Sequence, residues 1–297
     1  MVGFAARLTE AQVRRLAKHP RVQSISPDLP VSVAEQTLPT GVDRIDADVN
    51  AVAQIDGNDT RIDADVAVLD TGVDLSNPDL NVAGGVDCDG PDTGNYGDAH
   101  GHGTHIAGTI AALDNGIGVV GVAPGARIWS VRVLDANGNG TTSNLICGLD
   151  WVAAHADTID VVNMSLAGAG SDGSCSSTAL HEAICGVVNA GVTVVAAAGN
   201  SGVDASSTTP ATYAEVIAVS AFTDIDGQPR PGGTDPLDCS NPGSDDIFAS
   251  YSNFGPDIDI AAPGTSIQSL ALGGGLSTRT GTSMAAAHVS GAVALYR

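Results

Sequence analysis

The chain has 297 residues, of which 43% are hydrophobic, and no uninterrupted apolar stretch reaches the ~20 residues that a membrane-spanning helix needs. Its formal net charge is −22, from 12 basic and 34 acidic residues. Such an acidic chain lacks the basic face that phosphates require, but it offers carboxylates to hard cations such as calcium. The composition therefore predicts one large domain with a sizeable core, and neither a nucleic-acid partner nor a membrane partner.

The charge is distributed unevenly along the chain. Residues 1–33 hold five basic and two acidic residues, whereas residues 34–297 hold seven basic and 32 acidic residues. The first segment contains a predicted helix that Thr9 caps and Pro20 ends, followed by a predicted strand at Arg21–Ser26. We expect residues 1–33 to form a separate piece that is attracted electrostatically to the acidic body.

Beyond residue 65, short apolar runs alternate with helical patterns. Strands are predicted at Val66–Leu69, Ile128–Val133, Val161–Met164, Val192–Ala197, Val216–Val219 and Ile258–Ala261. Helices are predicted at His102–Leu113, Ser143–Ala156, Thr178–Ala190 and Thr282–Tyr296. This alternation predicts an α/β fold: a three-layer, mostly parallel twisted sheet with helices on both faces. Residues 223–250 are rich in Pro, Gly, Asp and Ser, which indicates a long surface loop.

The five cysteines do not form a C-x-x-C pair, which excludes zinc-ribbon and thioredoxin-like sites. They are Cys88, Cys147, Cys175, Cys185 and Cys239. An odd number permits at most two disulfides and one free thiol, and the sequence leaves their pairing open, although Cys175 and Cys185 are the nearest neighbours. A disulfide would place the protein in an oxidising compartment.

Four segments carry the side chains that peptide hydrolysis needs: a nucleophile, a base, an orienting carboxylate and donors for the oxyanion. Asp70 ends the strand in DVAVLDTGVD, and His102 opens a helix in AHGHGTHIAGT. Asn200 follows a strand in VVAAAGNSG, and Ser283 lies at a helix N-terminus in TGTSMAAAHVSG. Because the carboxyl ends of parallel strands meet at one edge of a sheet, we expect Asp70 and Asn200 to lie near each other.

These segments resemble the subtilisin-like serine proteases (subtilases, peptidase S8). The motifs D-T-G, H-G-T-H-x-A-G-T, N-M-S-L, A-A-G-N and G-T-S-M-A occur in the family's order between about Gln36 and Arg297. The resemblance implies that Ser283 is the nucleophile, His102 the general base, Asp70 the orienting carboxylate and Asn200 the side-chain donor to the oxyanion. It therefore implies a serine endopeptidase (EC 3.4.21.-) that acts through an acyl-enzyme intermediate.

The resemblance also implies where a substrate lies. A peptide or protein substrate would bind as an added strand between two segments. Those substrate-binding residues are Gly138, Asn139, Gly140, Ser165, Leu166, Ala167 and Gly168, with Thr208 near the floor of the primary specificity pocket. Thr209–Pro210 matches a cis-proline position of the family. Two departures, Ala167 for a usual glycine and Ala287 for a usual proline, alter the surroundings of the groove and of the nucleophile.

A structural calcium site is implied as well, with no organic cofactor. The residues that match the family's ligands are Gln36, Asp79, Leu113, Asn115, Ile117 and Val119. They would supply side-chain and backbone oxygens, which are the ligands that a hard cation takes.

Residues 1–33 resemble the C-terminal part of a subtilisin propeptide, an α+β piece that assists folding and inhibits the enzyme. Residues 34–297 then form the catalytic domain, and both ends of the chain look truncated. We expect self-cleavage between Leu29 and Glu35, near Val33–Ala34, and a secreted, monomeric product.

Other interpretations fit the residues less well. Asp92-Thr-Gly repeats the motif at Asp70, but an aspartic-protease dyad needs two matching β lobes. The acidic residues around residues 88–90 do not meet the EF-hand pattern, and three nearby histidines lack the HExxH motif of a zinc site: His100, His102 and His105. The remaining alternative is a catalytically inactive subtilisin-like binding or scaffold module, inactive because of truncation.

Overall fold

The structure, a computed structural model, describes residues 6, 8–26, 35–90, 94–228 and 245–297. The chain divides into two compact units, Met1–Ala34 and Glu35–Arg297. Among the residues described, no helix is both long enough and apolar enough to cross a membrane.

The described part of the first unit contains a short helix, α1 (Glu10–Leu16). The Thr9 side chain accepts a hydrogen bond from the Gln12 backbone N–H, and the Gln12 side chain accepts one from the Thr9 N–H, which forms a capping box. The predicted cap at Thr9 is confirmed. The predicted strand at Arg21–Ser26 is wrong: this segment pairs with no strand among the described residues, and an extended segment becomes a strand only through such pairing.

The second unit contains five further helices and twelve strands within its described residues. The helices are α2 (Thr40–Arg44), α3 (His102–Ala111), α4 (Thr142–Ala153), α5 (Ala179–Asn189) and α6 (Thr282–Tyr296). The strands are β1 (Asp65–Asp70), β2 (Val82–Asp87), β3 (Arg127–Arg132), β4 (Val161–Met164), β5 (Gly168–Ala169), β6 (Thr193–Ala197), β7 (Thr208–Thr209), β8 (Ile217–Thr223), β9 (Ile247–Phe248), β10 (Ile260–Pro263), β11 (Ile267–Leu270) and β12 (Leu276–Arg279).

The central sheet has the strand order β10-β8-β6-β4-β1-β3-β2, and every neighbouring pair along it is parallel. β9 pairs with β8 in the antiparallel direction, and two small antiparallel pairs, β11 with β12 and β5 with β7, lie outside this sheet. The prediction of a mostly parallel sheet is therefore confirmed.

Strand β1 illustrates why helices cover both faces of the sheet. All six of its residues are buried, and successive side chains point to opposite faces. Val66 and Val68 belong to the core cluster that includes α3 and α6, whereas Ala67 and Leu69 belong to the cluster that includes α4 and α5. Two hydrophobic cores, one on each face, confirm the predicted three-layer α/β fold.

The edge strand β2 has no counterpart among the predicted strands, because its sequence VAGGVD is rich in glycine. A Cβ at Gly85 would lie 2.0 Å from the Ser130 backbone oxygen, and one at Gly84 would lie 2.8 Å from the Trp129 ring. Glycines therefore allow β2 to lie close against β3. The same residues that lower the strand signal make this pairing possible.

Two disulfides join elements of the second unit. Cys88–Cys147 connects the end of β2 to α4, and Cys175–Cys185 connects the segment before α5 to that helix. Cys239 and most of the predicted 223–250 loop lie outside the described residues. The described ends of that loop are partly strand, since Thr223 ends β8 and Ile247–Phe248 forms β9.

Candidate active site

The buried Asp70 carboxylate and the His102 imidazole form the centre of the site. Asp70 ends β1 and is 0% exposed, and His102 is the first residue of α3. The His102 Nδ1 atom lies 2.8 Å from each carboxylate oxygen, and one of these oxygens also accepts the Thr71 N–H at 2.7 Å. A proton shared with the carboxylate therefore belongs on Nδ1, which leaves Nε2 to accept another proton.

Opposing effects act on the His102 imidazole. Burial lowers the pKa of His102, but attraction to the Asp70 carboxylate and the hydrogen bond with it outweigh burial and raise that pKa above its ordinary value. The positive charge of Arg279 opposes this rise, and the negative charge of Asp98 adds to it. The carboxylate thus makes the imidazole a stronger base than burial alone would allow.

Asp98, a residue to which the sequence assigns no catalytic role, organises the turn that precedes His102. One carboxylate oxygen accepts the N–H groups of His100 and Gly101 and the Thr71 hydroxyl, at 2.8–2.9 Å. The other accepts the Thr104 N–H at 2.9 Å. Asp98 therefore ties the start of α3 to the residue that follows Asp70.

Ser283 lies in the first turn of α6. Its hydroxyl donates to the Ser165 carbonyl at 3.1 Å, and the Ser165 hydroxyl donates to the Ser283 carbonyl at 2.8 Å. These reciprocal bonds hold the predicted nucleophile beside the end of β4 rather than on His102. In free enzymes the bond from nucleophile to base often forms only when substrate is bound, and rotation of the Ser283 side chain would redirect its hydroxyl.

A series of buried polar side chains is hydrogen-bonded to Ser165. Ser290 Oγ donates to Asn163 Oδ1 at 2.9 Å, and Asn163 Nδ2 donates to Ser165 Oγ at 2.8 Å. Ser290 and Asn163 are 0% exposed and Ser165 is 4% exposed. The sequence contains Asn163 within its N-M-S-L motif, but nothing in the sequence alone links it to Ser290 on a distant helix.

Asn200 lies beside the N-terminus of α6. Its side-chain oxygen accepts the Thr282 N–H at 2.8 Å and the Thr282 hydroxyl at 3.0 Å. These bonds fix the orientation of the carboxamide, so its NH₂ group remains free to donate hydrogen bonds to a ligand. Asn200 is exposed. The Asn200 NH₂ and the N–H of the nearby Ser283 form a pair of donors of the kind that stabilises an oxyanion.

A groove of about 550 Å³ adjoins His102. Its lining includes His100, His102, Gly138, Asn139, Gly140, Ser165, Leu166, Ala167, Gly168, Leu180 and Thr209, with no Asp, Glu, Lys or Arg among its described residues. Seven of the eight predicted substrate-binding residues thus line one groove. Thr208 does not: Thr209 lines the wall instead, because the β5–β7 pairing places Thr209 opposite Gly168 and Thr208 opposite Ala169. The Thr209–Pro210 bond is cis, as predicted.

Five of the six predicted calcium ligands converge through hydrogen bonds, and Ile117 is linked to them by its N–H. Gln36 Nε2 donates to the Leu113 and Val119 carbonyls at 2.5 and 2.9 Å, and Asn115 Nδ2 donates to Asp79 Oδ1 at 3.0 Å. The Ile117 N–H donates to Asn115 Oδ1 at 3.0 Å. Two amide NH₂ groups therefore lie among oxygen acceptors.

The residues of this cluster fit a hard cation. Asp79 is 2% exposed, and burial raises its pKa to about 7, against hydrogen bonds from Val119 and Asn115 that lower it. The oxygen and nitrogen of a side-chain amide exchange places on a 180° rotation, so Gln36 and Asn115 can both present oxygen. A Cβ at Gly118, whose φ is +62°, would lie 2.2 Å from Asp79 Oδ2, so the loop can enclose the carboxylate only with glycine there.

Among the described residues, the histidines near the site belong to no cluster that could hold a metal ion. His102 Nδ1 is bonded to Asp70, and the buried His105 ring bonds through Nε2 to the Ile267 carbonyl at 3.1 Å. Burial lowers the pKa of His105 to about 4, so this ring stays neutral. Asp92 lies outside the described residues.

Comparison with known proteins identifies the family. Residues 63–297 match the Subtilase family (Peptidase S8), and residues 1–34 match Peptidase inhibitor I9. The chain is 40% identical over 294 residues to Subtilisin NAT of Bacillus subtilis subsp. natto, which covers 98% of this chain and 69% of that protein. It is 40% identical over 293 residues to the Thermostable alkaline protease of Halalkalibacterium halodurans, covering 98% of this chain and 71% of that protein.

A solved structure shows the same fold. The chain matches a cold adapted subtilisin-like serine proteinase with a TM-score of 0.67 at 36% identity, over 89% of this chain and 85% of that chain. These similarities support a serine endopeptidase and do not favour an inactive scaffold. The chain belongs to the subtilase family of serine peptidases, and its first residues match the inhibitor I9 family of propeptides.

Proposed function

We propose that this chain hydrolyses peptide bonds with Ser283 as nucleophile, His102 as general base and Asp70 as the orienting carboxylate. The observation that carries the proposal is the contact of His102 Nδ1 with both oxygens of a fully buried Asp70, at 2.8 Å each. This contact fixes the tautomer that leaves Nε2 free to take a proton from the Ser283 hydroxyl.

The reaction then runs in two balanced halves. Ser283 Oγ bonds to the substrate carbonyl carbon as its proton moves to His102 Nε2, and the carbonyl oxygen becomes an oxyanion held by the Asn200 NH₂ and the Ser283 N–H. When the C–N bond breaks, His102 returns the proton to the departing amine. Water, deprotonated by His102, attacks the acyl-enzyme in the same way and releases the acid and the Ser283 hydroxyl.

The acyl side of the substrate is proposed to bind as an extended strand between the segments 138–140 and 165–168. Both segments line the groove beside His102, and backbone pairing along two edges would hold a peptide largely irrespective of its sequence. Because the described lining residues include no Asp, Glu, Lys or Arg, we propose that the acyl-side residues nearest the scissile bond are uncharged.

A structural calcium ion is proposed to bind the oxygens of Gln36, Asp79, Leu113, Asn115, Ile117 and Val119. When bound, the ion would supply a positive charge that joins residue 36 to the loop after α3 and neutralises the buried Asp79. We expect calcium to raise the thermal unfolding midpoint of the wild type but not that of Asp79→Asn, as measured by calorimetry with and without a chelator. Asp172→Asn, at an exposed position, is the matched control; an equal calcium effect in Asp79→Asn would contradict the site.

Residues 1–33 are proposed to be the C-terminal part of an intramolecular inhibitor, and residues 34–297 the catalytic domain. The match to inhibitor I9 and the opposite charges of the two segments support this division. The expected cleavage near Val33–Ala34 falls outside the described residues. Two disulfides in the described chain support a secreted enzyme, because such bonds persist in oxidising surroundings; we propose that it acts as a monomer.

A fluorophosphonate probe tests the proposed function directly, because it reacts only with an activated serine. We expect labelling of the wild type at Ser283, located by peptide mass analysis, and none in Ser283→Ala or His102→Ala. Ser283→Ala should also retain residues 1–33, whereas the wild type should lose them. Failure of the folded wild type to label, or release of the segment from purified Ser283→Ala, would contradict the proposal.

A further inference from the structure

All but one of the arginines that the structure describes in the second unit are paired with an aspartate. Five of the six that the structure describes there lie within 3.3 Å of an Asp oxygen: Arg44, Arg61, Arg127, Arg132 and Arg297. The Arg279 side chain forms no ion pair or hydrogen bond with any other described residue, although the chain has 34 acidic residues for 12 basic ones. An unpaired guanidinium in so acidic a protein is available to an anion from outside.

Arg279 lies beside the reacting groups. It is the last residue of β12, four positions before Ser283, and one of its terminal nitrogens lies 3.3 Å from the position of a Cβ at Gly101. Gly101 directly precedes His102, and the charge of Arg279 acts on the His102 imidazole. A ligand of Arg279 would therefore be a group attached to the substrate close to the scissile bond.

The position of Arg279 also indicates which half of the substrate it meets. His100 and His102 line the groove for the acyl half, but Arg279 and its neighbour Leu272, which is 42% exposed, do not. The space next to Gly101 that these two side chains occupy thus lies outside that groove. If the groove holds the acyl half of the substrate, a substrate group that reaches Arg279 belongs to the leaving-group half.

We propose that Arg279 binds a carboxylate on the leaving-group half of the substrate, either an Asp or Glu side chain within the first three residues after the scissile bond or the terminal carboxylate of a short leaving peptide. This inference rests on the proposed function. A guanidinium pairs with a carboxylate through two parallel N–H···O bonds, which explains the choice of ligand. An acidic enzyme repels acidic substrates at long range, and this pairing would allow it to bind them at the site.

Paired quenched fluorescent peptides test this inference. All share one acyl half and an amidated C-terminus, and they carry Glu or Gln at the first, second or third position after the scissile bond. A further pair ends in a free carboxylate or an amide at the third position, which separates the two sources of the anion. The variants are Arg279→Gln and Arg279→Lys, with Arg61→Gln as the matched control at an exposed arginine.

At about 0.1 M salt we expect kcat/KM to favour the carboxylate over the amide by about 1.5-fold to fivefold in the wild type, the range of a partly exposed ion pair. The ratio should fall to about one in Arg279→Gln, persist in Arg279→Lys and in Arg61→Gln, and shrink at about 1 M salt, where the Debye length is about 3 Å.

Two outcomes overturn the inference while leaving the proposed function intact: cleavage of every Gln peptide with no carboxylate preference in the wild type, or a preference that survives in Arg279→Gln. If no peptide is cleaved and the fluorophosphonate probe does not label Ser283, the proposed function fails and the inference fails with it.

Discussion

At the scale of single residues, the reaction depends on the proton affinity of one imidazole nitrogen. Asp70 accepts a hydrogen bond from the N–H at His102 Nδ1, so the basicity of Nε2 follows the charge of the carboxylate. The site combines a carboxylate and a guanidinium that act on the same ring with opposite signs. Catalytic pH dependence is therefore the most direct readout of this geometry.

We expect kcat/KM to rise with pH through a midpoint above the ordinary histidine value of 6.5, because the pKa of His102 is raised and only its neutral form accepts the Ser283 proton. Arg279→Gln should move this midpoint to still higher pH, since the Arg279 charge lowers that pKa. The measurement is kcat/KM against pH with an uncharged p-nitroanilide substrate. A wild-type midpoint at or below 6.5 would show that Asp70 does not outweigh burial.

Asn200→Ala should lower kcat by about 10²–10³, which is the known effect of removing this donor in subtilisin rather than a magnitude derived from the present geometry. KM should change little, because the NH₂ group acts on the charge that develops in the transition state. Steady-state kinetics measures the split. A fall confined to KM would instead assign Asn200 to ground-state binding.

The sequence predicted Asp70, His102, Asn200 and Ser283 because each lies in a motif whose residues are close along the chain. It did not predict the role of Arg279. That role depends on the absence of a described carboxylate within ion-pair distance of the Arg279 guanidinium, and only the folded structure shows such distances. For a related reason the groove lining includes Thr209 and not Thr208, since strand register decides which of two neighbours faces a groove.

At the scale of secondary-structure elements, helix α6 holds the nucleophile against the sheet. It packs with α3 and with strands β1, β4, β6, β8 and β10. The hydrogen bonds from Ser290 to Asn163 and from Asn163 to Ser165 connect α6 to β4 at two points, because Ser165 also bonds to Ser283. The position of the nucleophile is thus set by both elements together.

Ser290→Ala should destabilise the protein by about 1–3 kcal/mol, because the buried Asn163 oxygen loses its donor. For a domain of this size, each kcal/mol lowers the unfolding midpoint by roughly 2–4 °C, which calorimetry can measure. Ser207→Ala, at an exposed serine, is the matched control and should change stability by less than about 0.5 kcal/mol. Equal effects in the two variants would show that the buried hydrogen bonds from Ser290 to Asn163 and Ser165 contribute nothing to stability.

The elements that the sequence failed to predict share a dependence on tertiary partners. β2 and the β11–β12 hairpin were missed because glycine or polar residues weaken their patterns, and neighbouring elements define them. The opposite error occurred at Arg21–Ser26, where alternation predicted a strand without a neighbour to pair with. The long apolar strands and amphipathic helices were predicted within a few residues because their own composition requires burial.

At the scale of the whole molecule, charge is the dominant feature. With a net charge of −22, and with five arginines already paired, most carboxylates repel one another in the folded state. Such self-repulsion destabilises a compact chain and is screened by salt.

We therefore expect the thermal unfolding midpoint to rise between about 0.05 M and 1 M sodium chloride, as the Debye length falls to about 3 Å. Calcium is held at one saturating concentration, so that the change reports screening alone. Sucrose at matched osmolality is the control and should not reproduce the full shift. A midpoint that is constant or falls with salt would show that repulsion does not limit stability.

The order of the reacting residues along the chain also bears on how the enzyme is made. Asp70 and His102 lie in the first half of the chain, whereas Ser283 lies on α6, which packs against strands from the whole length of the catalytic unit. During synthesis on the ribosome the base and the carboxylate emerge long before the nucleophile. With the proposed triad, a nascent chain therefore has no means of cutting itself or its neighbours until α6 has docked.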